Sequence, residues 1–237
     1  MKFSTARLLA TVAIPATMAA MMTGAVQAQD MEEVEVSASV TLTNDYRFRG
    51  VSLSDRDIAI QGDIGVSFGG FHIGAWSSSI ADFQGTTASS STTEVDWIAG
   101  YGFDLDDNLS MDVGVTYYTY PGAKGVHYFE PYASLGTTLG DAEVGFTFAY
   151  VPSQDSTGND DNVYLALDVS QAIDDNFSVT GHFGYEDGAF APDGKLDWQI
   201  GLATSFKGID VGIAYIDTDV AGRATKGGVL LSIGKSF

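Results

Sequence analysis

The candidate functional residues include two arginines close to several carboxylates, in a chain that has few basic residues. Arg47 and Arg49 are separated by one position, although the 237 residues include only 11 Lys and Arg against 31 Asp and Glu. Asp45 precedes them, and Glu94 and Asp96 share one face of a later segment of alternating residues. If the arginines face these carboxylates, the opposed charges create a transverse electric field across a narrow passage. The same residues can instead form an internal salt-bridge cluster, because buried charges need partners.

Further carboxylates recur on the polar face of several alternating segments. A face of this kind can line a water-filled passage, where it attracts cations and repels anions. The alternative is that these positions are simply solvated. Taken together, the candidates for lining a pore or its constriction are Asp45, Arg47, Arg49, Glu94, Asp96, Asp112, Asp168 and Asp197.

The histidines and the loop acids give little support to catalysis or metal binding. His127 lies beside Tyr128 and Glu130 in a predicted loop, but no nucleophile is placed with it and no G-x-S-x-G motif occurs. The acidic stretch 155–162 lacks the glycine and the terminal glutamate of an EF-hand calcium loop. We therefore predict that the protein is not an enzyme, holds no metal and uses no cofactor.

Composition and charge exclude several classes of protein. The absence of Cys rules out a disulfide scaffold and a thiolate metal site. A formal net charge of -20 argues against a nucleic-acid partner, because phosphates are bound by Lys and Arg. A hydrophobic content of 45% is too high for a disordered acidic polymer. The chain is therefore a folded, strongly acidic protein.

Residues 1–28 have the pattern of a secretory signal peptide. Lys2 and Arg7 give a basic start, an apolar stretch follows, and a small-x-small cleavage site ends at Ala28. A proline and several threonines within the stretch disfavour the alternative of a membrane anchor. We predict cleavage after Ala28, which leaves residues 29–237 as one exported domain.

The rest of the chain alternates between apolar and polar residues almost throughout, as β-strands do. Twelve such segments occur, and no apolar run is long enough to span a bilayer as a helix. Short turns rich in Gly, Asp and Asn alternate with longer connections predicted at 47–57, 84–93, 120–127, 152–162, 188–195 and 217–227. This pattern is typical of an up-and-down meander with turns on one rim and loops on the other.

The direction of the apolar face decides between a soluble barrel and a membrane barrel. A soluble sandwich or lipocalin-like barrel turns its apolar face inward. Aromatic residues near the strand ends and small residues on the polar face favour the opposite arrangement. The terminal Phe237, on an alternating last strand, resembles the assembly signal of outer-membrane barrels. We predict an all-β, transmembrane, antiparallel up-and-down β-barrel of about twelve strands in the cell outer membrane.

Three short stretches carry a family resemblance. Residues 43–54 read TNDYRFRGVSLS, residues 70–78 read GFHIGAWSS and residues 94–101 read EVDWIAGY. Together they resemble the TorF family of porins of Gram-negative bacteria. The resemblance implies an outer-membrane, porin-like barrel and supplies no substrate.

The sequence thus predicts a porin-like channel for passive diffusion of small polar solutes or ions, with an acidic lumen that prefers cations. The alternative is a closed structural or adhesive barrel whose external loops bind a partner. The expected partners are outer-membrane lipid and lipopolysaccharide, the barrel-assembly machinery, which would recognise Phe237, and the diffusing solutes or ions. No nucleic-acid partner is expected.

Overall fold

The structure, a computed structural model, describes residues 34–86 and 88–237, so the predicted signal peptide of residues 1–28 lies outside the described residues. The strands are β1 Glu35–Thr43, β2 Arg47–Phe48, β3 Val51–Ser52, β4 Ala59–Phe68, β5 Phe71–Gln84, β6 Ser90–Asp106, β7 Leu109–Thr119, β8 Tyr128–Leu139, β9 Ala142–Val151, β10 Asn162–Ala172, β11 Phe177–Gly188, β12 Ala191–Phe206, β13 Ile209–Thr218 and β14 Gly228–Ser236.

Twelve of these strands form one closed antiparallel barrel. Strands β4 to β14 pair in sequence order, and β1 closes the sheet by pairing with both β14 and β4. The two short strands β2 and β3 pair with each other in a hairpin within the first connection. A 3-10 turn covers Asp155–Thr157, and no helix in the described residues is long and apolar enough to cross a membrane. The predicted all-β barrel of twelve strands is confirmed.

The barrel turns its apolar side chains outward and its polar side chains inward. On β12, Ile200 is 64% exposed and Leu202 46%, whereas the neighbouring Gln199 is 6% exposed. The outward set is almost entirely aliphatic and aromatic, which makes a surface suited to lipid rather than to water. This closed barrel with an apolar outer face supports the predicted location in the cell outer membrane.

Exposed aromatic residues border the apolar belt at both ends. Tyr117 and Tyr185 lie towards one end of their strands, and Phe71 and Phe206 lie next to turns at the other end; all four are at least 40% exposed. Rings in these positions match the interfacial girdles of membrane barrels, where an amphipathic ring lies at the level of the headgroups.

Tight turns close one end of the barrel, which we call the turn end. Gly69 and Gly70 join β4 to β5 with φ angles of 55° and 86°, and Lys207 and Gly208 join β12 to β13 with φ angles of 54° and 73°. Positive φ at both central residues is what a two-residue hairpin with the correct strand twist requires. The opposite end carries the longer connections, and we call it the loop end.

Two of the long connections predicted from the sequence are wrong. Strand β11 continues to Gly188 and β12 begins at Ala191, so the predicted loop 188–195 is a two-residue turn. Strand β6 begins at Ser90, which shortens the predicted loop 84–93. The ends of these strands project beyond the apolar belt. Because outward side chains need not be apolar there, the alternation of apolar and polar residues that predicts a strand is absent.

A charge placed on the outer face is expected to destabilise the barrel far more than a charge placed in the lumen. Ile200→Lys puts an ammonium group into the apolar belt and should cost about 2–4 kcal/mol. The control is Thr180→Lys, because Thr180 is a partly buried position on the inward face of β11. Urea titration of the folded barrel in lipid vesicles measures both. A larger loss for Thr180→Lys would contradict the assignment of the faces.

Candidate functional site

The first connection folds into the lumen instead of away from it. We call residues 44–58, which include β2 and β3, the plug hairpin. At its tip the chain reverses through Arg49 and Gly50, with φ angles of 47° and 79°. The Arg49 side chain then reaches Glu130 on β8 and Glu186 on β11, which lie on the far side of the barrel from β1. The hairpin therefore crosses the passage.

Arg49 fastens the tip of the hairpin to the opposite wall. Its Nη2 atom lies 2.7 Å from both carboxylate oxygens of Glu130, and its Nη1 atom lies 2.8 Å from Oε1 of Glu186. The guanidinium also lies 4.1 Å from the centre of the Tyr164 ring. Lys195 Nζ, 2.6 Å from Oε2 of Glu186, completes the set of charges. All these side chains are buried, so each charge depends on its partners for stabilisation.

Arg47 gives the hairpin its shape. Its Nε atom donates to Asp45 Oδ2 at 2.6 Å, and its Nη1 atom donates to the carbonyl oxygens of Gly50 at 2.9 Å and Ala224 at 3.0 Å. Its Nη2 atom donates to the carbonyl of Lys226 at 3.0 Å. The side chain is completely buried. Arg47 therefore joins the hairpin to the connection between β13 and β14.

The first of the three stretches that carry the family resemblance, residues 43–54, builds most of this plug. Asp45 accepts a hydrogen bond from Ser52 Oγ at 2.6 Å in addition to that from Arg47. A Cβ atom at Gly50 would collide with the Thr218 side chain and lie 2.9 Å from Cβ of Asp197. Only glycine therefore fits at this position of the hairpin. These close contacts explain why the segment combines small residues with charged ones.

A second set of contacts, at the rim, is exposed. Arg223 binds Asp55 at 2.8 Å, with side chains that are 75% and 51% exposed. The hydrogen bond from Arg223 lowers the pKa of the Asp55 carboxyl. Arg56 Nη1 donates to the Lys226 carbonyl at 2.8 Å. Because solvent screens exposed ion pairs, we attribute the position of the hairpin to the buried contacts rather than to this rim.

Aromatic side chains fill the rest of the loop-end half. Tyr118 stacks on Tyr128 with ring centres 4.5 Å apart, and Phe83 stacks on Tyr120 at 4.3 Å. The buried members of this cluster are Tyr46, Ala59, Ile80, Tyr118, Tyr120, Ala123, Tyr128 and Val151. A barrel that is polar inside along most of its length thus contains a packed core under the loops, which closes this half of the passage.

Glu94 and Asp96 lie within this closed half, and each is 1% exposed. The Tyr120 hydroxyl donates to Oε1 of Glu94 at 3.0 Å, but Glu94 Oε2 and Asp96 Oδ1 have no hydrogen-bond partner among the described residues. Arg47 and Arg49 bind other carboxylates, so they do not face this pair. The structure thus forms the internal salt-bridge cluster that was the alternative to a transverse field.

The turn-end half is different, because its inward side chains are mostly small or polar and partly exposed. We call this space the vestibule. Asp112 lies 3.5 Å from Nδ1 of His72, with side chains 15% and 27% exposed. His182 lies between two carboxylates, with Nδ1 2.7 Å from Asp168 and Nε2 3.0 Å from Asp197. The Tyr164 hydroxyl also lies 3.0 Å from Nε2 of His182.

The structure therefore divides the predicted site residues between two regions. Asp112 and Asp168 face the vestibule, and the other six lie buried in or beside the closed half: Asp45, Arg47, Arg49, Glu94, Asp96 and Asp197. The sequence reasoning missed Glu130 and Glu186 as the partners of Arg49. Both occupy inward positions of alternating strands, and this alternation was the only feature of the sequence that could have placed them in the lumen.

The remaining predicted sites lie at the rims. Phe237 is 71% exposed at the turn end, and its backbone N–H donates to the Ala38 carbonyl at 2.9 Å, which extends the closure of the barrel. His127 Nδ1 accepts a hydrogen bond from the Tyr120 N–H at 3.2 Å. Within residues 34–86 and 88–237, no three His, Cys, Asp or Glu residues are grouped so as to hold a metal ion.

Comparisons with known proteins agree with the fold. A family model described as "Bacterial protein of unknown function (Gcw_chp)" matches residues 27–235. The KdgM porin, also solved in complex with disordered oligogalacturonate, is 9% identical with a TM-score of 0.57, over 86% of this chain and 98% of that chain. The COG4313 outer membrane channel from Pseudomonas putida F1 is 11% identical with a TM-score of 0.51, over 90% and 98%. No curated protein matches the chain.

Removing the Arg49 guanidinium should release the tip of the plug hairpin. Arg49→Gln leaves Glu130 and Glu186 with uncompensated charge, so it should destabilise the seated hairpin by about 3 kcal/mol or more, which is a change of over a hundredfold in its opening equilibrium. Amide hydrogen exchange of residues 47–52 measures this opening.

The control neutralises the partners as well. Arg49→Gln combined with Glu130→Gln and Glu186→Gln removes the unpaired charges and should recover part of the lost protection. Unchanged exchange in Arg49→Gln would contradict the assignment of Arg49 as the clamp.

Proposed function

Because the chain belongs to the Gcw_chp family of bacterial proteins of unknown function, its role must be argued from its structure, and we propose that it is a porin-like channel of the outer membrane. Small polar solutes or ions diffuse through it, with no energy source and no covalent step. The observation that carries the proposal is the inverted barrel, with an apolar outer face and a polar lumen whose turn-end half, the vestibule, is lined by partly exposed side chains.

The likeness in fold to the KdgM porin and to the COG4313 channel supports this proposal. The KdgM porin has been solved in complex with disordered oligogalacturonate. The vestibule of the present barrel contains Asp112 and Asp168, and carboxylates repel anions. We therefore propose that this channel passes cations and neutral polar solutes in preference to anions.

The plug hairpin sets the resistance of the proposed channel. With the hairpin seated, the loop-end half is filled by the Arg49 clamp and the aromatic cluster. Passage then requires the hairpin to move aside, as an entire segment tethered at residues 43 and 59. The channel we propose is therefore mostly closed, and it conducts in proportion to the time that the hairpin spends away from its seat.

The remaining expectations follow from this proposal. We expect residues 1–28 to direct export and residues 29–237 to be the mature, exported domain, as the resemblance to the TorF-family porins implies. Outer-membrane lipid and lipopolysaccharide surround the belt, and the barrel-assembly machinery recognises the last strand with its terminal Phe237. Passive diffusion involves no covalent step, so we assign no catalytic role to His127.

A second candidate is a closed structural or adhesive barrel whose external loops bind a partner. The observation that favours it is the packing of the loop-end half, since several of its side chains are no more than 1% exposed. The two candidates differ in the behaviour of the intact protein. A channel opens from time to time with its hairpin present, whereas a structural barrel conducts only when the hairpin has been removed.

Replacing residues 46–53 by a short Gly-Ser linker should increase conductance strongly. In planar bilayers we expect brief, infrequent openings from the intact protein and sustained openings from the variant, because the closing segment is absent. Heat-modifiable migration in detergent serves as the control for folding. The absence of any channel events from the folded intact protein would contradict the channel proposal and favour the structural barrel.

Neutralising the lumen carboxylates should weaken the preference for cations. In the variant without the hairpin, Asp112→Asn with Asp168→Asn should move the reversal potential under a salt gradient towards zero, and Glu94→Gln with Asp96→Asn should move it further. The matched control is Asp187→Asn, which removes an exposed carboxylate on the outward face of β11. A reversal potential unchanged by all four lumen substitutions would contradict cation selection by these residues.

A further inference from the structure

Glu94 and Asp96 are a pair of buried carboxylates without a cation. Only Val95 separates them in the sequence, so both lie on the inward face of β6, and both are 1% exposed. Among the described residues, no Lys, Arg or His forms an ion pair with either of them. One oxygen of each, Glu94 Oε2 and Asp96 Oδ1, also lacks a hydrogen-bond donor within this part of the chain.

The groups that face the pair are acidic or neutral on every side. Tyr46 comes from the plug hairpin, Tyr118 and Tyr120 from β7 and the connection after it, and Tyr128 and Glu130 from β8. The neighbouring side chains of β5 and β4 are uncharged: Trp76, Ser78 and Gln61. Arg49 directs its Nη atoms to Glu130 and Glu186 instead.

Two anions in such a site are strongly unfavourable. Burial penalises each charge, and the like charge two residues away adds repulsion. A carboxylic acid that keeps its proton avoids both penalties, and neighbouring carboxyl groups commonly share one proton between them. The enclosed position, the missing cation and the unpaired oxygens therefore all indicate that the pair holds at least one proton.

The pair is in contact with the movable part of the structure. Tyr46 belongs to the plug hairpin, packs on Trp76 with ring centres 5.2 Å apart, and directs its hydroxyl towards Glu94. If the hairpin leaves its seat, Tyr46 leaves with it and water reaches both carboxylates. The hydrated pair then ionises readily, because water removes the penalty of burial.

We propose that Glu94 and Asp96 form a proton-binding site that holds the plug hairpin in place, and that loss of the proton opens the channel. The proposal rests on the channel function proposed above. The seated state binds at least one proton more than the open state, so a rise in pH favours opening. Release of one proton changes the opening equilibrium by about tenfold for each pH unit through the titration.

Another carboxylate acts in the opposite direction. Protonation of Glu186 at acid pH removes one of the two anions that Arg49 binds, which weakens the clamp. The hairpin is therefore held most firmly at intermediate pH. The two effects are separable, because substitutions at Glu94 and Asp96 leave the clamp intact.

The test compares the open probability of single channels over a range of pH in planar bilayers. In Glu94→Gln with Asp96→Asn, the amides imitate the protonated acids, so the rise in open probability at high pH should disappear. The rise in open probability at acid pH, which comes from the weakened clamp, should remain. The control Asp187→Asn, which removes an exposed carboxylate on the outward face of β11, should keep the wild-type profile. A double variant that opens with rising pH like the wild type would overturn the proposal.

A second measurement does not depend on conductance. Infrared spectra of the folded protein at neutral pH should contain a protonated-carboxyl C=O stretching band that the double variant lacks. The single variants Glu94→Gln and Asp96→Asn should each alter this band, and they replace the double variant if it fails to fold. Absence of such a band would overturn the proton site.

Failure of this inference can be told apart from failure of the channel function. If the variant without residues 46–53 conducts at every pH but the double variant keeps the wild-type pH profile, the protein is a channel and the proton site is wrong. If the intact protein never conducts but the infrared band is present and lost in the double variant, the proton site stands and the release of the hairpin into an open channel is wrong.

Discussion

The buried contact of Arg49 with Glu130 and Glu186 holds the loop-end half of this barrel together. The hairpin that carries Arg49 has a ladder of only two residue pairs, which cannot by itself keep a segment inside a lumen. The guanidinium connects the tip to two strands of the opposite wall, and its removal would leave two desolvated carboxylates. The packing of Tyr46 on Trp76 and the close approach of Gly50 to Asp197 depend on this contact.

The barrel also separates its charges by height. In the closed half, arginine and lysine pair with Asp45, Glu130 and Glu186, whereas no cation forms an ion pair with Glu94 or Asp96 among the described residues. In the vestibule, Asp112 and Asp168 stand beside histidines and remain partly exposed. The near-neutral mean hydropathy of +0.07 is thus an average over an apolar outer belt, a polar lumen and acidic loops. No single face of the molecule has that intermediate character.

Much of the fold could be predicted because the side-chain period of a strand is two. That period is enough to place Asp112, Asp168 and Asp197 on the polar face. It does not say whether the first connection folds inward, and it does not pair Arg49 with Glu130, which is 81 positions away. Such contacts depend on register and closure around the whole barrel. The alternation predicted β6 and β12 but not their loop-end extensions, because those ends project beyond the lipid.

The most direct test of the closed loop end uses the fact that the chain has no Cys. A cysteine at Ser170, a partly buried inward position near the turn end, reports access to the vestibule. A membrane-impermeant maleimide applied from the loop side should label Ser170→Cys slowly, although it labels the exposed loop control Ser153→Cys at once. Applied from the turn side, it should label Ser170→Cys rapidly. Equally fast labelling of Ser170→Cys from the two sides would contradict a hairpin that closes the passage.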